Sequence, residues 1–315
     1  MRDTTQVING ICKILKNLSA ISLALLLPHY ALGYAAKGHH IVAYICEENL
    51  TTRSREVVRE LLPNSTLHEV STWADEERAR TRANGTWHYV DFEITTGKIA
   101  PENLQHSTIL EAISSNTIAL KASPRTETRQ EALKYLVHFF GDLHQPLHCA
   151  NNHDNGGNKT YVMYEGHEER LHHIWDDELV NRMLEHRYNG MSLEQAAKAI
   201  SQKHISHFDE IVSGTVHTWA KESFEIAKKY VYDLAEPTSG TQAHRLTQEY
   251  LDRSEEILEQ QFAKAGFRLA HYLNSLLDPD YLASRSKGNI VQREQEVHRS
   301  RTPAGTRREP AEVVH

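Results

Sequence analysis

The chain has 315 residues, 39% hydrophobic and 24% charged, so it can bury a sizeable core and is too apolar for intrinsic disorder. Its formal net charge of −7 excludes a protein that grips nucleic acid through a broad basic face. Histidine is the outlier, with 21 residues, and that excess points to where the chemistry lies.

In chain order, Arg2, Lys13 and Lys16 flank the start of the apolar run Leu18 to Leu27, and the small-residue stretch Ala31-Leu32-Gly33 follows. That pattern reads as a secretory signal peptide over residues 1–33, so the mature chain is expected to begin at Tyr34 and to be secreted or periplasmic. The run is short for a bilayer span, and the alternative is a retained anchor or a buried helix. Cys12 leaves with the signal, which leaves Cys46 and Cys149 able to form one disulfide in an oxidising compartment. Neither belongs to a C-x-x-C pair, which argues against a cysteine zinc site. Asn49-Leu-Thr, Asn64-Ser-Thr and Asn84-Gly-Thr match the glycosylation acceptor pattern of a eukaryotic host.

The body, residues 34–283, reads as all-α, a single mainly helical domain. Apolar residues at three- and four-residue spacing predict helices over Ile41–Leu62, Glu131–His144, Ser192–Val212, Trp219–Leu234 and Thr241–Leu277. Ser192 and Gln195 form a capping-box pattern. Lys159–Tyr164, followed by Glu165-Gly166, is the arm of one small β-hairpin, and Pro237 marks an interhelix loop. From Ser284 the apolar period stops, predicting a disordered tail over 284–315. The presequence carries +2 and the tail +3, leaving −12 on the body. Carboxylates gathered to hold cations fit such a body, although a solvated acidic surface accounts for most of the charge.

The chemistry concentrates in Leu136-Val-His138-Phe-Phe-Gly-Asp142-Leu-His-Gln-Pro146-Leu-His148. His138 and Asp142 stand four apart and share a helix face. Leu133, Leu136, Val137 and Phe140 supply the neighbouring apolar stripe, so the helix would dock in the core with the pair at its edge. Pro146 ends the helix, and His148 comes from the turn beyond. His172 and Asp176 repeat the four-residue spacing, with Gly156-Gly157-Asn158 between the two blocks. Upstream stand Gly38-His39, Trp73-Ala-Asp75-Glu-Glu-Arg78 and Trp87-His88-Tyr89-Val90-Asp91. Imidazole and carboxylate without thiolate suit catalytic rather than structural zinc.

Those six blocks, in that order from about Tyr34 to Leu277, resemble the S1/P1 nucleases, which share a fold with bacterial zinc-dependent phospholipases C. The resemblance implies a helical domain around a cleft with three Zn²⁺. Carried over by position, Asp75, His88, His138 and Asp142 would hold one zinc, and His148, His172 and Asp176 a second. His39, a bridging Asp142, and the amine and carbonyl of the first mature residue would hold the third. The family normally starts with Trp where this chain has Tyr34, a change that backbone ligation should tolerate. Zinc lowers the pKa of bound water from 15.7 toward about 7, so no side-chain nucleophile is required. Arg78, on the same helical flank as Asp75, would neutralise phosphoryl oxygens; a surface ion pair to Glu77 or another acid is its plainer role. Tyr89 would stack on a base, Asp91 would accept hydrogen bonds from it, and Asn158 would complete the pocket.

The implied activity is hydrolysis of 3′ O–P bonds in single-stranded DNA and RNA and in 3′-mononucleotides, leaving 5′-phosphates, by a monomer with no stable membrane partner. The alternatives are a zinc-dependent phospholipase C and a non-catalytic zinc-binding protein. Tyr89, Asp91 and a final Asp176, where the phospholipases have a Glu pattern, favour the nuclease. His40, His144, His153, His167 and His173 match no ligand position and are expected at the surface or supporting ligands. The histidines at 186, 204, 207, 217, 244 and 271 are expected on solvated helix faces.

Overall fold

The computed structural model describes residues 35–99, 106–237 and 242–286. The expected signal peptide, Tyr34 and all but residues 284–286 of the expected tail lie outside the described residues. The all-α expectation holds: the described chain is mainly helical with two small sheets. Residues 281–286 are helical, which carries regular structure past the expected boundary at 283. No helix among the described residues is long and apolar enough to cross a membrane.

The predicted helix over Ile41–Leu62 is two, α1 (Ala36–Glu48) and α2 (Thr52–Leu61). Polar groups make the break. Thr51 caps α2 by accepting from Ser54 N, and Asn49 turns its amide back to Ile45 O at 2.8 Å. Asn274 then accepts from Thr51 N and donates to Asn49 O, so the exposed backbone of the junction is satisfied from a distant helix. The same hydrogen bonds spend Asn49 on the fold. Asn84 donates to Tyr135 Oη, whereas Asn64 stands exposed in its turn.

After α3 (Trp73–Thr81) comes α4 (Ile109–Ala122), a helix outside the expected set. Its buried stripe is diluted by Ala112 and Asn116, but a Thr108–Glu111 capping box fixes its start. Helix α5 (Thr126–His144) begins five residues earlier than expected. Leu133, Leu136, Phe139, Phe140 and Leu143 form one fully buried stripe along it, and Val137, His138 and Asp142 on its other side are buried as well, as in a helix enclosed by others. The expectation of a docked helix with its polar pair at the edge is therefore corrected: His138 and Asp142 are both 0% exposed.

A helical turn at Leu171–His173 runs through a π-helical turn (Ile174–Glu178) into α6 (Leu179–Arg187), which periodicity also missed. The Ser192–Gln195 capping box opens α7 (Leu193–His204) as predicted, but the helix stops there and short pieces reach Ile211. Helix α8 (Val216–Ile226) begins three residues earlier than predicted, capped by Thr215. Helix α9 (Gln248–Leu277) begins at a Thr247 cap rather than at residue 241. Gly266 lets α9 approach α1, since a Cβ there would lie 2.4 Å from Ile45 Cβ.

The predicted hairpin is present as β3 (Tyr161–Tyr164) and β4 (His167–Arg170), with Glu165 and Gly166 both at positive φ in the turn. Two further short pairings fall outside the prediction. Strand β5 (His244–Arg245) joins β3 in parallel, and β1 (Phe92–Glu93) pairs with β2 (Ala150–Asn151). The latter ties the chain after Asp91 to the chain after His148.

Away from these elements, α9 buries Glu255 and Glu259 against α6 and α7. Glu255 meets Arg182 and His186 at 2.8 Å and Arg187 at 3.1 Å. Glu259 accepts from Lys203 at 2.6 Å, His204 at 3.1 Å and Tyr188 Oη at 2.9 Å. His186 and His204 thus serve the fold instead of only facing solvent. Burial alone raises the Glu259 carboxyl, and the donors Lys203, His204 and Tyr188 outweigh it and hold it below its ordinary value. A depressed folded value contributes stability above the ordinary carboxylate range of about 4.3, lost as pH falls through the folded value. Glu259→Gln is expected to cost roughly 2 kcal/mol at neutral pH, less than the 3–5 kcal/mol of a fully buried pair because Lys203 is half exposed. Urea unfolding should show the deficit at pH 7 and little of it at pH 3; an equal deficit at both would contradict this account.

Candidate metal centre

Five separate segments meet at the buried face of α5. His39 comes from α1, Asp75 from α3, His88 from a 3₁₀ turn, His138 and Asp142 from α5, and His148 from the 3₁₀ turn Pro146–Cys149. Pro146 ends α5 as predicted and opens that turn. His172 arrives from the helical turn Leu171–His173 and Asp176 from the π turn that follows it. The side chains form three groups able to hold a cation: Asp75, His88 and His138; His39, His138 and Asp142; and His148, His172 and Asp176.

Asp142 stands between the first two groups. Its Oδ2 lies 2.9 Å from His88 Nδ1 and 3.1 Å from His138 Nε2, and its Oδ1 lies 3.5 Å from His39 Nε2. Asp75 Oδ1 is 3.6 Å from both His88 and His138. Separations near 3.5 Å are long for hydrogen bonds and close to the roughly 3.4 Å edge of a tetrahedron with zinc–ligand bonds of about 2.0–2.1 Å. Asp75 Oδ1, His88 Nε2, Asp142 Oδ1, His148 Nε2 and His172 Nε2 are buried without a hydrogen-bond partner among the described residues. Buried polar atoms are normally satisfied, so orphans converging from separate segments fit a bound cation.

The outward nitrogens are fixed as they are in metal-ligating imidazoles. His138 Nδ1 donates to Ser71 O at 2.7 Å, His148 Nδ1 to His88 O at 2.8 Å and His172 Nδ1 to Gly156 O at 2.5 Å. Each bond leaves Nε2 facing the centre. Asp176 is held by Gln145 Nε2 at 2.6 Å.

Charge follows burial. Desolvation, the largest influence, pushes His39 and His88 down and brings His148 to about 4. These three are neutral near pH 7, with lone pairs available. At His138 burial also pushes down, but Asp142 and Asp75 outweigh it and raise the ring to about 9. His172 is raised by Asp176 against its own burial. Asp142 is held well below its ordinary value because His138 and His148 overcome its desolvation. A divalent cation would displace the protons on His138 and His172.

Several supporting residues carry no ligand signature in the sequence. A Cβ on Gly141 would lie 2.6 Å from His39 Nδ1, and the bare glycine lets His39 stack on His138 at 4.0 Å. Glycine inside an apolar helix costs about 1 kcal/mol, which was the available clue. Gly141→Ala should keep the protein folded, displace His39 and lower kcat/KM about 10–100-fold with loss of bound metal; wild-type activity and metal content would refute that role. Gly156 and Gly157 sit at φ +60° and +83°, where Gly156 passes Leu147 O too closely for any side chain. Buried Asp154 secures their loop, accepting from Gly157 N at 2.9 Å, Thr160 Oγ1 at 2.6 Å and Tyr232 Oη at 2.9 Å. Behind the site His144 is fully buried, bonded to Phe140 O and Arg268. That places it in the core rather than at the surface.

Arg78 reaches Asp75 at 3.4 Å, while Glu77 is taken by Arg80 at 2.7 Å, so the acid that Arg78 meets is Asp75. Tyr89 is half-buried; its hydroxyl is raised by desolvation first, then by Asp91, with Arg78 opposing. Asp91 and Arg78 therefore lie close enough to Tyr89 to act on its hydroxyl. Asn158 turns its Nδ2 onto Asn155 O within the loop. Cys46 and Cys149 are free buried thiols, so the disulfide the sequence allowed is not formed. Tyr34 lies outside the described residues, but Ala35 N donates to Asp176 O at 2.9 Å, anchoring the start of α1 at the centre.

A family model described as S1/P1 Nuclease matches residues 34–278. Nuclease S1 of Aspergillus oryzae is 30% identical over 82% of this chain and 96% of its own length. Endonuclease 4 of Arabidopsis thaliana is 30% identical over 78% and 90%, and Nuclease P1 of Penicillium citrinum is 26% identical over 77% and 97%. With the match spanning nearly the whole helical domain and every segment that feeds the centre, the chain belongs to the S1/P1 nuclease family.

Proposed function

We propose that this protein is a zinc-dependent nuclease and 3′-nucleotidase with three zinc ions. It hydrolyses 3′ O–P bonds of single-stranded DNA and RNA, leaving 5′-phosphate ends, and removes phosphate from 3′-mononucleotides. The observation that carries this reading is the single buried carboxylate of Asp142 set between His39 on one side and His88 and His138 on the other. Asp75, His88, His138 and Asp142 hold one ion, and His148, His172 and Asp176 another. His39, Asp142 and the amine and carbonyl of Tyr34 hold the third. When bound, zinc supplies positive charge and a water acidic enough to lose its proton near neutral pH.

The chain's own residues do the rest. Arg78, steadied by Asp75, offers its guanidinium to the phosphoryl oxygens as charge builds on them. Tyr89 presents a ring face for base stacking, worth about 1–3 kcal/mol and tolerant of sequence. Asp91 accepts hydrogen bonds from the base, and Asn158 borders the same pocket. Burial raises both thiols, which leaves neither Cys46 nor Cys149 as a nucleophile.

Processing fits the same scheme. The family match begins at residue 34, the first residue after the expected signal peptide of a secreted or periplasmic protein. Ala35 N donates to Asp176 O at 2.9 Å, which supports ligation by the residue that precedes it. An α-amine with a pKa of about 7.7–8.0 yields its proton readily to a metal. We take the mature protein to be residues 34–283 followed by a tail, acting as a monomer without a membrane partner.

The test is turnover by the mature protein on single-stranded DNA, RNA, 3′-AMP and phosphatidylcholine vesicles, with chelator and after zinc is restored. Nucleotide substrates should be cleaved, chelator should stop cleavage, and zinc should restore it. Chelator-resistant turnover would overturn the zinc mechanism, and faster lipid turnover would make the enzyme a phospholipase.

A further inference from the structure

We propose that His173, Asp177 and Glu178 form a fourth divalent-cation site, outside the buried centre and back to back with it. One ligand atom from each of these residues falls within 4.8 Å of the others. Their geometry follows from the π turn at Ile174–Glu178. In an α-helix, position i+4 lies near position i but i+5 swings well away. The wider i→i+5 turn brings residues four and five ahead to either side of the first. Asp177 and Glu178 therefore both flank His173, while His172 and Asp176, one step back, face inward at 3.1 Å.

The spacing is wide enough to admit an ion between the three side chains. His173 Nε2 and Glu178 Oε1 are 3.7 Å apart, too far for a hydrogen bond. That separation is close to the 3.5–3.6 Å found between His39 and Asp142 and between Asp75 and its two imidazoles. The donor set is one imidazole and two carboxylates, which suits zinc or a similar first-row divalent ion. His173 and Glu178 are 45% and 33% exposed, so water can complete the coordination and the ion can exchange with solvent. Such a site would fill after the buried centre, as free zinc rises, and would brace the π turn that sets Asp176 against His172.

The test compares the full mature protein with His173→Ala and with the double variant Asp177→Asn, Glu178→Gln. Zinc per chain is measured across a series of buffered free-zinc concentrations. At high free zinc the wild type should bind one more ion than either variant, and at low free zinc all three should bind the same number. Crystals grown at high zinc should show an anomalous peak between His173 and Glu178. Equal zinc content throughout the series, without that peak, would reduce the cluster to an ordinary ion pair and overturn the proposal. Because the result is a difference between proteins, it is separate from the number of ions in the buried centre, whose failure would appear in wild type and variants alike.

Discussion

Asp142→Asn should leave the fold intact and nearly abolish catalysis. The substitution keeps the shape of a side chain that is 0% exposed in the last turn of α5 and removes the one negative charge shared by His39, His88 and His138. Without it, His138 loses the leading influence that holds it near 9, and two groups of ligands lose their common member. Loss of a residue that merely supports a metal ligand costs about 10–100-fold; here the loss in kcat/KM on 3′-AMP should be well beyond that, with a fall in zinc per chain. Near-UV circular dichroism would establish that the core is retained. A variant with full zinc content and less than tenfold loss of activity would show that Asp142 is not shared between ions.

Leaving Gly33 attached to Tyr34 should be nearly as damaging, although it changes no side chain. An α-amine offers a lone pair once deprotonated, whereas a peptide nitrogen offers none because it is conjugated with its carbonyl. The protein bearing the extra glycine should therefore bind one zinc fewer and lose at least about 100-fold in kcat, the upper end of what disturbing a metal site from outside costs. Proteolytic removal of the glycine should restore both. Full activity and unchanged zinc content with Gly33 in place would remove the terminal amine from the site.

The histidine–aspartate pairs were legible because spacing is enough to place them. His138 and Asp142, and His172 and Asp176, stand four apart, and each pair meets at 3.1 Å. Pro146 likewise marks the end of α5 through the missing N–H of its ring. Boundaries set by side-chain hydrogen bonds were less visible: Asn274 stitches the α1–α2 junction from more than 220 residues away, and no local pattern announces it. The π turn was also hidden, since periodicity assumes an α-helical pitch and the wider turn changes which residues align. Supporting groups such as Ser71 and Gly156 act through backbone carbonyls, and a carbonyl carries no residue-specific signal. Gly141 and Asp154 act through what they permit and what they secure, which emerges only once His39 and the glycine loop are placed beside them.

The most direct measurement is diffraction from crystals of the mature protein across the zinc absorption edge. The account predicts three anomalous peaks in the buried centre. One should be bounded by Asp75, His88, His138 and Asp142, one by His148, His172 and Asp176, and one by His39, Asp142 and the terminal amine. A zinc-replete crystal with no peak among these side chains, or with Asp142 turned away from His39 and His88, would contradict it.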